Sequence, residues 1–171
     1  MEKFAFIIHP IDVKRDASKK YPPLRFAPVG VIEQLMKRMS PKLMSHITGV
    51  RSANGTEAEG WLIGCPLSPR QFLHLPTDFV YEKIAQAGQL GADLGAKIVG
   101  LGAFTSVVGD AGITVAQKLD GVINVTSGNS YTVYTAVEGL LRAAEMMNVD
   151  ISQSRVAIIG ATGSIGAVCA K

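Results

Sequence analysis

Between Leu75 and Gly160 the sequence alternates short, continuous apolar runs with longer stretches of helical period, and this rhythm narrows the possible folds more than any other feature. The stretch "LPTDFVYEKIAQAGQLGADLG" carries a long amphipathic helix opened by a Thr77 cap. It leads into "AKIVGLGAF", an apolar run of the kind buried on both faces of a sheet. A strand over Ile98–Leu101, a short helix over Ile113–Leu119, a strand over Val122–Val125, a long helix over Tyr131–Met147 and a strand over Val156–Gly160 follow in order. Strands joined through helices run parallel, because the helix carries the chain back across the sheet. The predicted class is α/β, with a mainly parallel sheet and flanking helices.

The first seventy residues add to that frame. Phe4–Ile8 reads as a buried strand stopped by His9-Pro10, and the polar, proline-bearing stretch Asp12–Pro28 as loop with room for a helical turn. From Val29 to Met39 the apolar residues Val31, Ile32, Leu35, Met36 and Met39 recur at helical spacing, and Ser40-Pro41 closes the helix. In "SHITGVRSANGTEAEGWLIGCP", alternating segments flank Asn54-Gly55, the pair that best tolerates a type I′ turn, so an antiparallel hairpin is expected with strands 45–52 and 57–64.

With 171 residues, 47% hydrophobic and 18% charged, the chain buries a real core and is not a disordered segment. The net charge of +3 comes from lysines and arginines scattered along the chain rather than gathered on one run, which argues against a nucleic-acid surface. No apolar stretch approaches the roughly 20 residues of a membrane span. Cys65 and Cys169 stand far apart, with no CxxC pair and no histidine cluster, so neither a disulfide framework nor a metal site is indicated and a cytoplasmic protein is expected.

Three stretches could carry chemistry. The first is Gly160-Ala161-Thr162-Gly163-Ser164-Ile165-Gly166, after the apolar run "RVAIIG". Glycines at that spacing permit a tight turn and let the backbone approach a pyrophosphate; without a ligand they would serve only to pack a strand-to-helix turn. The second is "VTSGNSYTVYTAVEG", where Thr126-Ser127-Gly128 ends a strand and Asn129 or Ser130 caps a helix whose first turn holds Thr132. That terminus suits a carbonyl, carboxylate or phosphate, and equally an ordinary well-capped helix. The third is "GLGAFTSVVGDAG", whose Thr105 and Ser106 follow a buried strand where open α/β sheets place their ligands, or cap the next short helix. His9, His46 and His74 sit in unrelated contexts and read as structural groups; Cys65 reads as a buried, inert thiol and Cys169 as a residue packed against the sheet.

These stretches, in this order, resemble the long-chain acyl-[acyl-carrier-protein] reductases and the related predicted amino-acid or shikimate-type dehydrogenases. The resemblance is close over the last seventy residues or so and reduced to pieces such as "GCPLSP" before them. It implies an N-terminal α/β substrate-side domain over residues 1–150. Residues 151–171 would be the first β-strand and helix start of a truncated Rossmann domain, which binds NADP or NAD. By the same resemblance Gly160, Thr162, Gly163, Ser164, Ile165 and Gly166 belong to the cofactor loop, while Thr105, Ser106, Ser127, Asn129, Ser130 and Thr132 face the substrate.

The implied activity is NAD(P)-dependent hydride transfer to or from a carbonyl or acyl carbon of a small-molecule or acyl-carrier substrate. The catalytic residues are not identified: a nucleophilic cysteine, where the chemistry is covalent, is expected after Lys171, so that neither Cys65 nor Cys169 takes the role. Two alternatives stay open, a dehydrogenase without a thioester intermediate and a non-enzymatic nucleotide-sensing or assembly module. The chain by itself is expected to be inactive and to bind cofactor weakly, and its apolar tail is expected to pair with a second copy in a homo-oligomer.

Overall fold

The computed structural model describes Met1–Lys171, save for the side chain of Lys20. The chain divides into two compact units, Met1–Ser127 and Gly128–Lys171.

The first unit opens with strand β1 (Glu2–Ile8). The expected loop that follows is in fact helix α1 (Val13–Lys20), whose first turn is tied by the Asp12 carboxylate accepting the Arg15 N–H at 2.9 Å, and then a 3-10 turn over Pro22–Phe26. Almost wholly polar, α1 has no apolar periodicity to reveal it. Helix α2 (Val29–Arg38), strand β2 (Lys42–Arg51) and strand β3 (Glu57–Gly64) lie where expected. Their hairpin, however, does not use a type I′ turn. The Gly55 N–H donates to the Ser52 carbonyl at 3.0 Å and Gly55 alone takes positive φ, +85°, while the Asn54 side chain accepts from the Ser52 hydroxyl and the Thr56 N–H. With Asn54 held by its neighbours, the left-handed position falls on glycine after the turn, which adds a residue to the loop.

Helix α3 (Pro69–His74) was not expected: it starts in a capping box in which Ser68 and Gln71 satisfy each other's backbone N–H. Helix α4 (Thr77–Asp93) begins after Pro76 with no side-chain cap, so Thr77 is its first residue and not its cap. Strand β4 (Ile98–Leu101), helix α5 (Ile113–Lys118) and strand β5 (Asn124–Thr126) complete the unit.

The five strands form one sheet in the order β2-β3-β1-β4-β5, parallel throughout except for the β2-β3 hairpin. Ala5 and Ile7 of β1, Trp61 and Ile63 of β3 and Val99 and Leu101 of β4 all point to one face and are buried. Val80, Ile84 and Ala87 of α4, three and four residues apart, pack in the same cluster. Each large member adds about 1.5–3 kcal/mol on burial. Lys83 lies among them, its Nζ donating to the Met39 carbonyl at 2.7 Å just past the end of α2.

The second unit holds helix α6 (Asn129–Met146), a 3-10 turn at Ile151–Gln153 and the short helix α7 (Gly166–Cys169). The expected helix start is present, but the expected strand Val156–Gly160 is not: no ladder involves it, Val156 is 53% exposed and Ile159 99%. A strand exists through the neighbours that take its N–H and C=O groups, and the second unit has no other strand among its described residues. Cys169 is half-buried on α7, within this strandless unit.

Candidate functional site

In the first unit the connections leave β1 in both directions. The chain passes from β1 to β3 on one side, then through α4 to β4 on the other, so the carboxyl ends of β1 and β4 form the switch point at which open α/β sheets bind ligands. His9 leaves β1 there and the 3-10 turn Ala103–Ser106 leaves β4. The Phe104 N–H donates to His9 Nε2 at 3.3 Å, and His9 Nδ1 lies 3.0 Å from the Pro10 carbonyl. A backbone N–H only donates and a carbonyl only accepts, so the neutral ring carries its proton on Nδ1. The ring packs at a tilt against Phe72 and Phe104, with centroids 5.0 and 5.6 Å away. His9 is thus a satisfied group, as its sequence context suggests, yet it braces the segment at the switch point.

That segment is held under strain. Ala103 and Ala111 both adopt left-handed backbone, φ +49° and +58°, which non-glycine residues take at a cost of about 1–3 kcal/mol. Thr105 is buried and its hydroxyl donates to the Gly102 carbonyl at 2.8 Å; Ser106 donates likewise to Ala103 at 2.8 Å. Both hydroxyls brace their own turn. Sequence reasoning passed over Asp110, whose Oδ2 accepts from the Thr114 hydroxyl at 2.5 Å and the Thr114 N–H at 2.9 Å. The Thr114 hydroxyl is the main reason that this carboxyl is held below the usual carboxylate range.

Cys65, just past β3, is fully buried, and burial pushes its thiol up to about 12 against a modest lowering by Lys83. Such a thiol is not a nucleophile at neutral pH. Among the described residues no three His, Cys, Asp or Glu side chains gather as metal ligands, and no helix is long and apolar enough to cross a membrane.

In the second unit the glycine loop is closed by its own backbone. Gly160 has φ +82°, the Gly163 N–H donates to its carbonyl at 2.9 Å, and a Cβ on Gly166 would lie 2.3 Å from that same oxygen. Thr162, Gly163 and Ser164 are exposed along the loop, with Ile165 half-buried behind them. Gly128, with φ +72°, occupies the cap position of α6, so neither Asn129 nor Ser130 caps the helix: both are helical residues. Thr132 turns its hydroxyl back to the Gly128 carbonyl at 3.2 Å, Ser130 is exposed, and Ser127 is the last residue of the first unit. Of the predicted site residues the structure joins two that lie far apart in the chain: Asn129 Nδ2 donates to Ser164 Oγ at 3.0 Å.

No family model matches the chain. It is 32% identical over 179 residues to the aminotransferase PigE of Serratia sp., an alignment covering 95% of this chain and 19% of that protein. It is also 28% identical over 165 residues to a long-chain acyl-[acyl-carrier-protein] reductase of Synechococcus elongatus, covering 93% of this chain and 48% of the reductase. The chain thus spans about a fifth of one curated relative and about half of the other.

Proposed function

We propose that the chain supplies the substrate-side domain and the cofactor loop of an NAD(P)-dependent oxidoreductase that moves hydride between nicotinamide and a carbonyl or acyl carbon. The observation that carries this reading is the likeness to the reductase, which runs through 93% of the chain. The glycine loop, its backbone exposed and its turn closed on Gly160, agrees with it. Residues 1–150 are the substrate-side domain in this reading and 151–171 open the cofactor domain. Gly160, Thr162, Gly163, Ser164, Ile165 and Gly166 hold NADP or NAD in this reading, and in the first unit the turn braced by the Thr105 and Ser106 hydroxyls lies on the substrate side.

The nicotinamide supplies the hydride; this chain's residues bind, orient and exclude water. Where the chemistry passes through a thioester, the thiol is not Cys65, whose burial keeps it protonated. A homo-oligomer belongs to the same proposal, with the exposed Val156 and Ile159 meeting a second copy.

A second reading follows from PigE, which is named for transamination. The shared segment is a fifth of PigE and about half of the reductase, so it accounts for more of the reductase, and the oxidoreductase reading is preferred. The test is direct: the full-length protein is incubated with NADPH or NADH and a long-chain acyl thioester or aldehyde, and cofactor absorbance is followed. Cofactor turnover supports the reading. Transfer of an amino group from a donor amino acid to the aldehyde, with no oxidation of either cofactor, would replace it with the PigE reading.

A further inference from the structure

We propose that Asn129 is a positioning residue for the cofactor: its side-chain amide holds the Ser164 hydroxyl as a hydrogen-bond donor toward a phosphate of the bound dinucleotide. The inference rests on the cofactor reading above and moves Asn129 from the substrate side to the loop.

The two residues are 35 positions apart, and the contact is between side chains. An amide nitrogen has only protons to offer, so at 3.0 Å the Ser164 oxygen is the acceptor. A hydroxyl that accepts through a lone pair keeps its own proton for a third group, and the bond it accepts makes that proton a better donor. Ser164 is exposed, on a loop whose backbone is fixed from inside by the Gly163 N–H to Gly160 bond and by the close approach of Gly166 to the Gly160 carbonyl. What remains adjustable is the direction of the hydroxyl, and that is what Asn129 sets. Its side chain can reach the loop because Gly128, not Asn129, sits at the cap of α6. A neutral amide suits the task. A carboxylate there would take the serine proton for itself and place negative charge beside a phosphate.

The test is titration of NADPH and NADH into the full-length protein, wild type and variants, with thermal melts run in parallel. Ser164→Ala should weaken binding about tenfold, the scale of one charge-assisted hydrogen bond, and Asn129→Ala about threefold to fivefold. The Ser164→Ala/Asn129→Ala double variant should bind no more weakly than Ser164→Ala alone, since the amide acts only through the hydroxyl. Asn129→Asp, nearly identical in shape, should lose more than Ser164→Ala and still melt like the wild type. Losses that add fully in the double variant, or an Asn129→Asp protein with unchanged affinity, would overturn the proposal while leaving the cofactor reading intact. Wild-type protein that binds neither nucleotide would overturn both.

Discussion

Cys65 offers the sharpest check on where the chemistry is not. The thiol lies just past β3, fully shielded from solvent, and burial lifts its pKa from 9.0 to about 12. At pH 8 a thiol of pKa 9 is about one-tenth thiolate and one of pKa 12 about one part in ten thousand, a difference of roughly a thousandfold in the reactive form. Alkylation of the native protein with iodoacetamide at pH 8, followed by peptide mapping, should therefore label Cys65 more than a hundredfold slower than the half-buried Cys169. In denaturant the two rates should converge. The same shift fixes a pH dependence. Below pH 9 both the folded and the unfolded thiol are protonated and Cys65 has no effect on the slope. Between 9 and 12 only the unfolded thiol ionises, so stability falls by up to about 1.4 kcal/mol per pH unit, a slope that Cys65→Ala removes. Equal labelling of Cys65 and Cys169 in the native protein would refute the reasoning and reopen Cys65 as a nucleophile.

Gly166→Ala places a Cβ 2.3 Å from the Gly160 carbonyl oxygen and 2.8 Å from its carbon, backbone atoms that cannot yield alone, so the loop must open. Cofactor affinity of the full-length protein should drop tenfold or more by calorimetry while the melting of the sheet unit stays put. Lys83→Met removes the donor to the Met39 carbonyl and should cost about 1–3 kcal/mol in a urea titration, with the loss independent of cofactor. The chain should run as a dimer in light scattering through the exposed Val156 and Ile159; a clean monomer with an ordered tail counts against the proposal.

What the sequence made legible was whatever is written locally. β1, α2, the hairpin strands, α4 and β4 each carry their own period, and the α/β class follows from their succession. The elements that escaped lack such a period: α1 is nearly all polar, and α3 is a single short helix announced only by Ser68 and Gln71. Strand order was out of reach for a different reason. β1 pairs with β3 and β4, so that Phe4 lies against Gly60 and Ile98, and no local pattern records partners so far along the chain. The site divides in the same way. The glycine loop announces itself by spacing, whereas the Asn129–Ser164 bond joins two segments that were assigned to different ligands.

The stretch "VAIIGATGSIG" shows how far a local signal can be trusted. Its glycine half is self-sufficient: the turn at Gly160 needs only its own backbone and the absence of a Cβ at Gly166, and both requirements are written in seven consecutive residues. Its apolar half is not. Val156 and Ile159 have the composition of a buried strand, but burial and pairing come from neighbours, and without them the segment stays out of any sheet. The loop geometry can therefore be present before a sheet exists to carry it. In the proposed cofactor reading such a loop would meet only the phosphates of a dinucleotide, and its remaining contacts would come from strands around it.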